Sequence, residues 1–132
     1  MPMRKALFVM LFAGVSSCAE ADWVYAARDS AATTYYVDPA TVRRVGATVK
    51  MWHLIDYGEA RMRDRGKPFF STIVNVEYDC QAQRIRSLFV SSHTGNMERG
   101  DVVYLSSDPG EWGPVSPGSA EEFLWKIACG RQ

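Results

Sequence analysis

Two cysteines 49 residues apart, Cys80 and Cys129, constrain this chain more than any other feature, because its N-terminus reads as an export signal. Arg4 and Lys5 precede ten apolar or small residues, Ala6 to Val15, followed by further small residues, so residues 1–21 form the expected signal peptide. Ten residues at ~1.5 Å rise cover only about half of a ~30 Å hydrocarbon core, which disfavours a permanent membrane span. Two cuts compete. Cleavage after Ala21, in Ala19-Glu20-Ala21, releases a chain beginning at Asp22; Val15-Ser16-Ser17-Cys18 instead resembles a lipoprotein box, with Cys18 acylated at the mature N-terminus. Either cut removes Cys18 from the thiol count. In an oxidising compartment the remaining pair reads as a disulfide, the alternative being two separate buried thiols. A bridge of that separation is worth about 4 kcal/mol in the chain-entropy model.

With 132 residues, the chain has room for one domain, expected over 22–132. An apolar fraction of 47% with 12% aromatic residues excludes disorder. Thirteen basic and fourteen acidic residues follow Ala21, so no nucleic-acid partner is implied, and membrane contact is expected only through a lipid on Cys18. No phosphate loop or metal-ligand spacing occurs, so no cofactor or metal is expected. His53 and His93 are read as structural. Glu77 and Asp79 lie roughly 6.6 Å apart along a strand, but each has an arginine opposite and no cleft, so no catalytic pair is assigned. Trp23, Trp52, Trp112 and Trp125 are read as core filling and helix docking rather than as a ligand cage, although Trp112, in a turn-rich loop, is also a candidate contact residue.

The region after the leader reads as short β segments followed by one helix. Strands are expected over 23–27, 33–37, 45–57, 69–80, 84–92 and 101–105, with a turn or short helical stretch from Asp38-Pro39 through Arg44. If residues 80–83 form a hairpin loop, Asp79 faces Arg84 and Glu77 faces Arg86 on one side, while Val74, Val76, Tyr78, Ile85 and Phe89 share the other. Ser119 and Glu122 form a capping box for a helix over 119–129, whose stripe of Phe123, Leu124, Ile127 and Ala128 is expected to cover the apolar side. Cys129 falls on the flank of that stripe, so the bridge is expected to use a frayed last turn. The fold class is therefore α+β: a six-stranded antiparallel sheet packed against one C-terminal helix and stapled by the disulfide.

Several motifs together are similar to the bacterial surface-adhesin protein E-like family. They are Thr34-Tyr35-Tyr36-Val37-Asp38 with Thr41-Val42, the run Trp52 to Tyr57, Ser71 nine residues before Cys80, Gly95-Asn96-Met97 before Gly100, and Trp112 through Pro117-Gly118-Ser119 to Cys129. The resemblance implies an exported, non-enzymatic binding protein of the cell envelope, in the periplasm or at the cell surface. Its expected partners are host matrix or serum proteins, such as vitronectin and laminin, or an anionic glycan. A second reading is a periplasmic structural or accessory protein with no host ligand. The family's ligand-binding segment is basic and lies on the strand leading to the first cysteine and the strand after it. Here that region contains Lys67, Arg84 and Arg86, with Gly66, Pro68 and Phe69 where further basic or polar residues would stand. Together with Arg61, Arg63 and Arg65, these three basic residues make up the candidate ligand-binding set.

Overall fold

The computed structural model describes residues 21–130; Cys18 and all of the leader except Ala21 lie outside them. Six strands run as an antiparallel meander: β1 (Val24–Arg28), β2 (Thr33–Val45), β3 (Thr48–Arg61), β4 (Phe69–Asp79), β5 (Arg84–His93) and β6 (Val102–Ser106). A two-residue β7 (Gly113–Pro114) adds to β5 beyond the expected elements, and α1 (Ala120–Cys129) closes the chain.

The β4–β5 hairpin has the expected register. Asp79 pairs with Arg84 and Glu77 with Arg86, with ion pairs of 3.1 and 2.7 Å. Phe89 departs from its expected side. The register shifts between Asn75 and Val76, where Leu88 is the extra residue on β5, so Phe89 stands opposite Asn75 and Val90 opposite Val74. One bulged residue reverses the side on which every later side chain of a strand points. Phe89 consequently meets Trp52, with ring centroids 5.4 Å apart, on the face away from the helix.

The turn expected from Asp38 to Arg44 is absent, and β2 continues through it. Asp38 pairs with Trp52 and Arg43 with Lys50, so four residues of β2 bulge opposite Met51 alone. The local signals were turn chemistry: Asp38 Oδ1 accepts from the Ala40 N–H and the Thr41 hydroxyl donates to the Asp38 carbonyl. Pairing on both sides of the detour overrides them, and the Trp52 N–H bridges it by donating to Thr41 Oγ1.

One sheet face packs on α1 through Val49, Met51, Val74, Val76 and Tyr78. Cys80 and Cys129 are bonded, with Cα atoms 5.6 Å apart. The helix docks rotated from its expected phase: Leu124, Trp125, Ala128 and Cys129 are buried, whereas Phe123 is 48% and Ile127 39% exposed. Two long-range bonds set that phase, the disulfide at Cys129 and the donation from Trp125 Nε1 to the Asp79 carbonyl at 3.0 Å. The last turn is also not frayed. Gly130 caps it in the left-handed conformation at φ 69°, its N–H reaching the carbonyls of Ile127 and Lys126. At the other end Ser119 Oγ accepts from the Glu122 N–H, but the Ser119 N–H bonds to Ser116, so half of the capping box forms.

Candidate functional site

The six basic candidates fall into two groups. Arg61 ends β3, and Arg63, Arg65 and Lys67 follow in the β3–β4 connection; all four are exposed. None of them forms an ion pair among the described residues. Two rest on aromatic rings, Arg61 at 5.2 Å from the Tyr57 centroid and Arg63 at 3.9 Å from that of Tyr104, which orients these guanidiniums without neutralising them. With Asp64 as the one acid between them, the tip carries a local positive excess in a chain of balanced charge.

Arg84 and Arg86 belong to the other end of the sheet. Eight residues of β4, roughly 26 Å at ~3.3 Å per residue, separate Phe69, where the basic connection joins, from Glu77. Both arginines are engaged, Arg84 by Asp79 and Arg86 by Glu77, and both guanidiniums lie over the Trp112 ring at 4.9 and 4.6 Å. Hydrogen bonding from the Ala82 N–H, then from Arg84, holds the Asp79 carboxyl below the usual carboxylate range. Trp112 is thus a platform for two arginines rather than a bare contact residue.

Between the groups, on the helix side, lies a cleft of about 370 Å³ with Arg63 and Arg86 among its walls and Glu111 and Glu121 beside them. Its floor includes His53 and Tyr78, which hydrogen-bond through Nε2 and the phenol, and Thr72, which bonds to Ser92 at 3.0 Å. Burial lowers His53 to about 4, against an opposing interaction with the Tyr36 backbone, so it is a neutral imidazole at neutral pH. Burial also raises Tyr78 well above the ordinary phenol range, and burial with the nearby Asp29 charge pushes Tyr35 to about 12. These groups hold their protons fixed around neutrality. Among the described residues no three histidine, cysteine or carboxylate side chains group as metal ligands.

The motif residues Ser71 and Gly95-Asn96-Met97 act on a loop. The Ser71 hydroxyl donates to the Gly95 carbonyl at 2.6 Å and accepts from the Glu98 N–H at 3.0 Å. Asn96 Nδ2 donates to Asp56 Oδ1 and to the Tyr57 carbonyl, and the Met97 N–H donates to Asp56. A Cβ on Gly95 would lie 2.9 Å from the Arg99 carbonyl oxygen, so no larger residue fits without a shift. These bonds pin the β5–β6 connection across the ends of β3 and β4.

Residues 23–130 match the family described as surface-adhesin protein E. The chain belongs to that family. Its fold is similar to that of solved Haemophilus influenzae protein E. One such structure aligns with a TM-score of 0.60 at 8% identity, over 84% of this chain and 86% of that one. A second crystal form gives 0.58 at 10% identity over 73% and 80%, and a selenomethionine form 0.60 at 10% over 80% and 85%. No match is found among the curated proteins. The antiparallel meander closed by a C-terminal helix is therefore a fold shared with those structures. Sequence reasoning located the basic tip, the two charge pairs and the bridge. It missed the cleft around His53, whose only sequence signal was a histidine alternating with Met51 and Ile55 on the covered side.

Proposed function

We propose that the protein is an exported surface adhesin whose β3–β4 tip, Arg61, Arg63, Arg65 and Lys67, contacts an acidic stretch of a host matrix or serum protein or a sulfated glycan. The observation that carries this reading is four exposed cations on one tip with no internal counter-ion among the described residues. Such an arrangement binds polyanions through Coulomb attraction that weakens with salt. The leader is removed either after Ala21, which releases the protein, or before Cys18, which is then acylated and anchors it to lipid. Arg84 and Arg86 extend the surface only where a ligand displaces Glu77 and Asp79.

Replacing the four tip residues with glutamine should abolish retention on heparin and binding to vitronectin while leaving the melting temperature unchanged. Retained affinity removes the tip from the account. The engagement of Arg84 and Arg86 by their own sheet favours a second reading, a periplasmic accessory protein with no host ligand. Protease treatment of intact cells separates the two: a surface adhesin is degraded and a periplasmic protein is spared.

A further inference from the structure

The sheet face turned away from α1 holds a cavity of about 590 Å³, a size in the range of small-ligand sites (roughly 300 to 1,000 Å³). Its walls are aromatic and apolar: Trp23, Trp52, Phe89 and Ile73. The β-bulge at Leu88 delivers Phe89 to this side, and the four-residue detour of β2 supplies Ala40 and Thr41 as a lip. Bulges of this kind re-aim side chains at functional places in sheets.

The charge at this cavity is one-sided. Asp22, Asp38 and Glu98 line it, the one other titratable side chain there is His93, hydrogen-bonded to Ser91 at 3.0 Å, and neither a lysine nor an arginine lines it. Among the described residues none of the three carboxylates forms an ion pair, and no cation lies over the rings of Trp23, Trp52 or Phe89. Asp38 is the most enclosed of the three. It is only 6% exposed, it stands opposite Trp52 in the β2–β3 register, and among the described residues its carboxylate accepts one hydrogen bond, 3.3 Å from the Ala40 N–H. Facing the cavity with no cation paired to it among the described residues, this carboxylate can pair with one that enters. Farther along the same row of strands, Asn75 Oδ1 is buried without a hydrogen-bond partner.

We propose that this cavity is a binding site for an organic cation with an apolar body, either a small quaternary ammonium or the guanidinium of a basic peptide side chain. Trp52 and Phe89 provide faces and edges for the apolar shell and a cation–π attraction, Trp23 closes the opposite side, and Asp38 supplies the charge. The Ser71 and Asn96 bonds that pin the β5–β6 connection hold Glu98 at the rim. This site is separate from the basic tip and does not depend on the tip's ligand.

Tryptophan fluorescence titration tests it, with tetramethylammonium and N-acetyl-arginine amide as probes and the uncharged N-acetyl-citrulline amide as control. The chain starting at Asp22 is measured with a free and with an acetylated N-terminus, so that competition from its own α-ammonium is covered; saturable binding of a cation by either form supports the site. A stronger response to tetramethylammonium identifies a small quaternary ammonium, and a stronger response to the arginine derivative a basic side chain. Asp38→Asn should weaken the preferred cation at least about tenfold, the scale of losing one charged partner, and Phe89→Leu should weaken it while the protein stays folded. No saturable response to either cation, an equal response to the citrulline control, or undiminished binding by Asp38→Asn would overturn the proposal.

Discussion

The two faces of the sheet use aromatic and charged residues to opposite ends. Against α1, the indole of Trp125 is buried and hydrogen-bonded to the Asp79 carbonyl, a disulfide crosses from sheet to helix, and Val49, Met51 and Tyr78 are enclosed between sheet and helix around it. On the other face, Trp23, Trp52 and Phe89 surround open space, with Asp38 buried beside them and, among the described residues, no ion pair to it. Even within that second face there is a contrast. Glu77 and Asp79 meet Arg86 and Arg84, which stack on Trp112, whereas three strand positions or fewer away the carboxylate–aromatic combination recurs with no arginine supplied. The covered face is organised to hold the fold together, and the uncovered one presents carboxylates and aromatic rings to open space.

Four measurements would break or sharpen this contrast. The largest effect belongs to the disulfide. Cys80→Ala with Cys129→Ala should cost about 4 kcal/mol and lower Tm by at least roughly 10 °C in thermal unfolding; an unchanged Tm would show that the helix docks without its tether. Next comes the helix phase. Leu124→Ala should cost about 3 kcal/mol, as for other large-to-small changes in cores, while Phe123→Ala, one residue earlier, should stay within about 0.5 kcal/mol as a surface change. Equal losses would contradict the rotated docking.

The third measurement is pH. His53 has a folded value of about 4, below its unfolded value, so the unfolded state binds the extra proton between about 4 and 6.5. Its contribution is complete above pH 6.5 and declines on acidification, by roughly 2 kcal/mol at pH 5. Asp79, depressed below the usual carboxylate value, adds a second loss that sets in at lower pH, as the unfolded carboxyl begins to protonate. Chemical denaturation at pH 7 and pH 5 should show the first loss, and NMR should show His53 still neutral at pH 5. The smallest effect separates two aspartates: Asp79→Asn should lower Tm, because it weakens an ion pair, whereas Asp38→Asn should leave Tm unchanged or raise it, because it removes an unpaired buried charge. A fall in both would mean that Asp38 is already satisfied.

Local pattern carried much of this architecture. The β4–β5 register was readable because Glu77, Asp79, Arg84 and Arg86 pair only when residues 80–83 form the loop, and hydrophobic alternation demands the same alignment. The helix start was readable from Ser119, whereas the ordered last turn, capped by Gly130, was not expected. The tip cations were plain in the sequence because a solvated loop keeps its charges whatever the sheet does. The cleft at His53 and the cavity at Trp52 were not, since each is assembled from strands, loops and termini distant along the chain.

The sequence by itself determined the antiparallel α+β plan and the exposed basic tip, because these depend on alternation and solvation within short segments, and it offered Cys80 and Cys129 as the pair available for a bridge. Tertiary structure alone decided which helix residues face the sheet, which side Phe89 takes, and where β2 departs from its partner. A helix can rotate, and a strand can absorb an extra residue, at small local cost. The choice therefore falls to contacts made across the fold, here a sulfur bond spanning 49 residues and the pairing of strands on either side of each bulge.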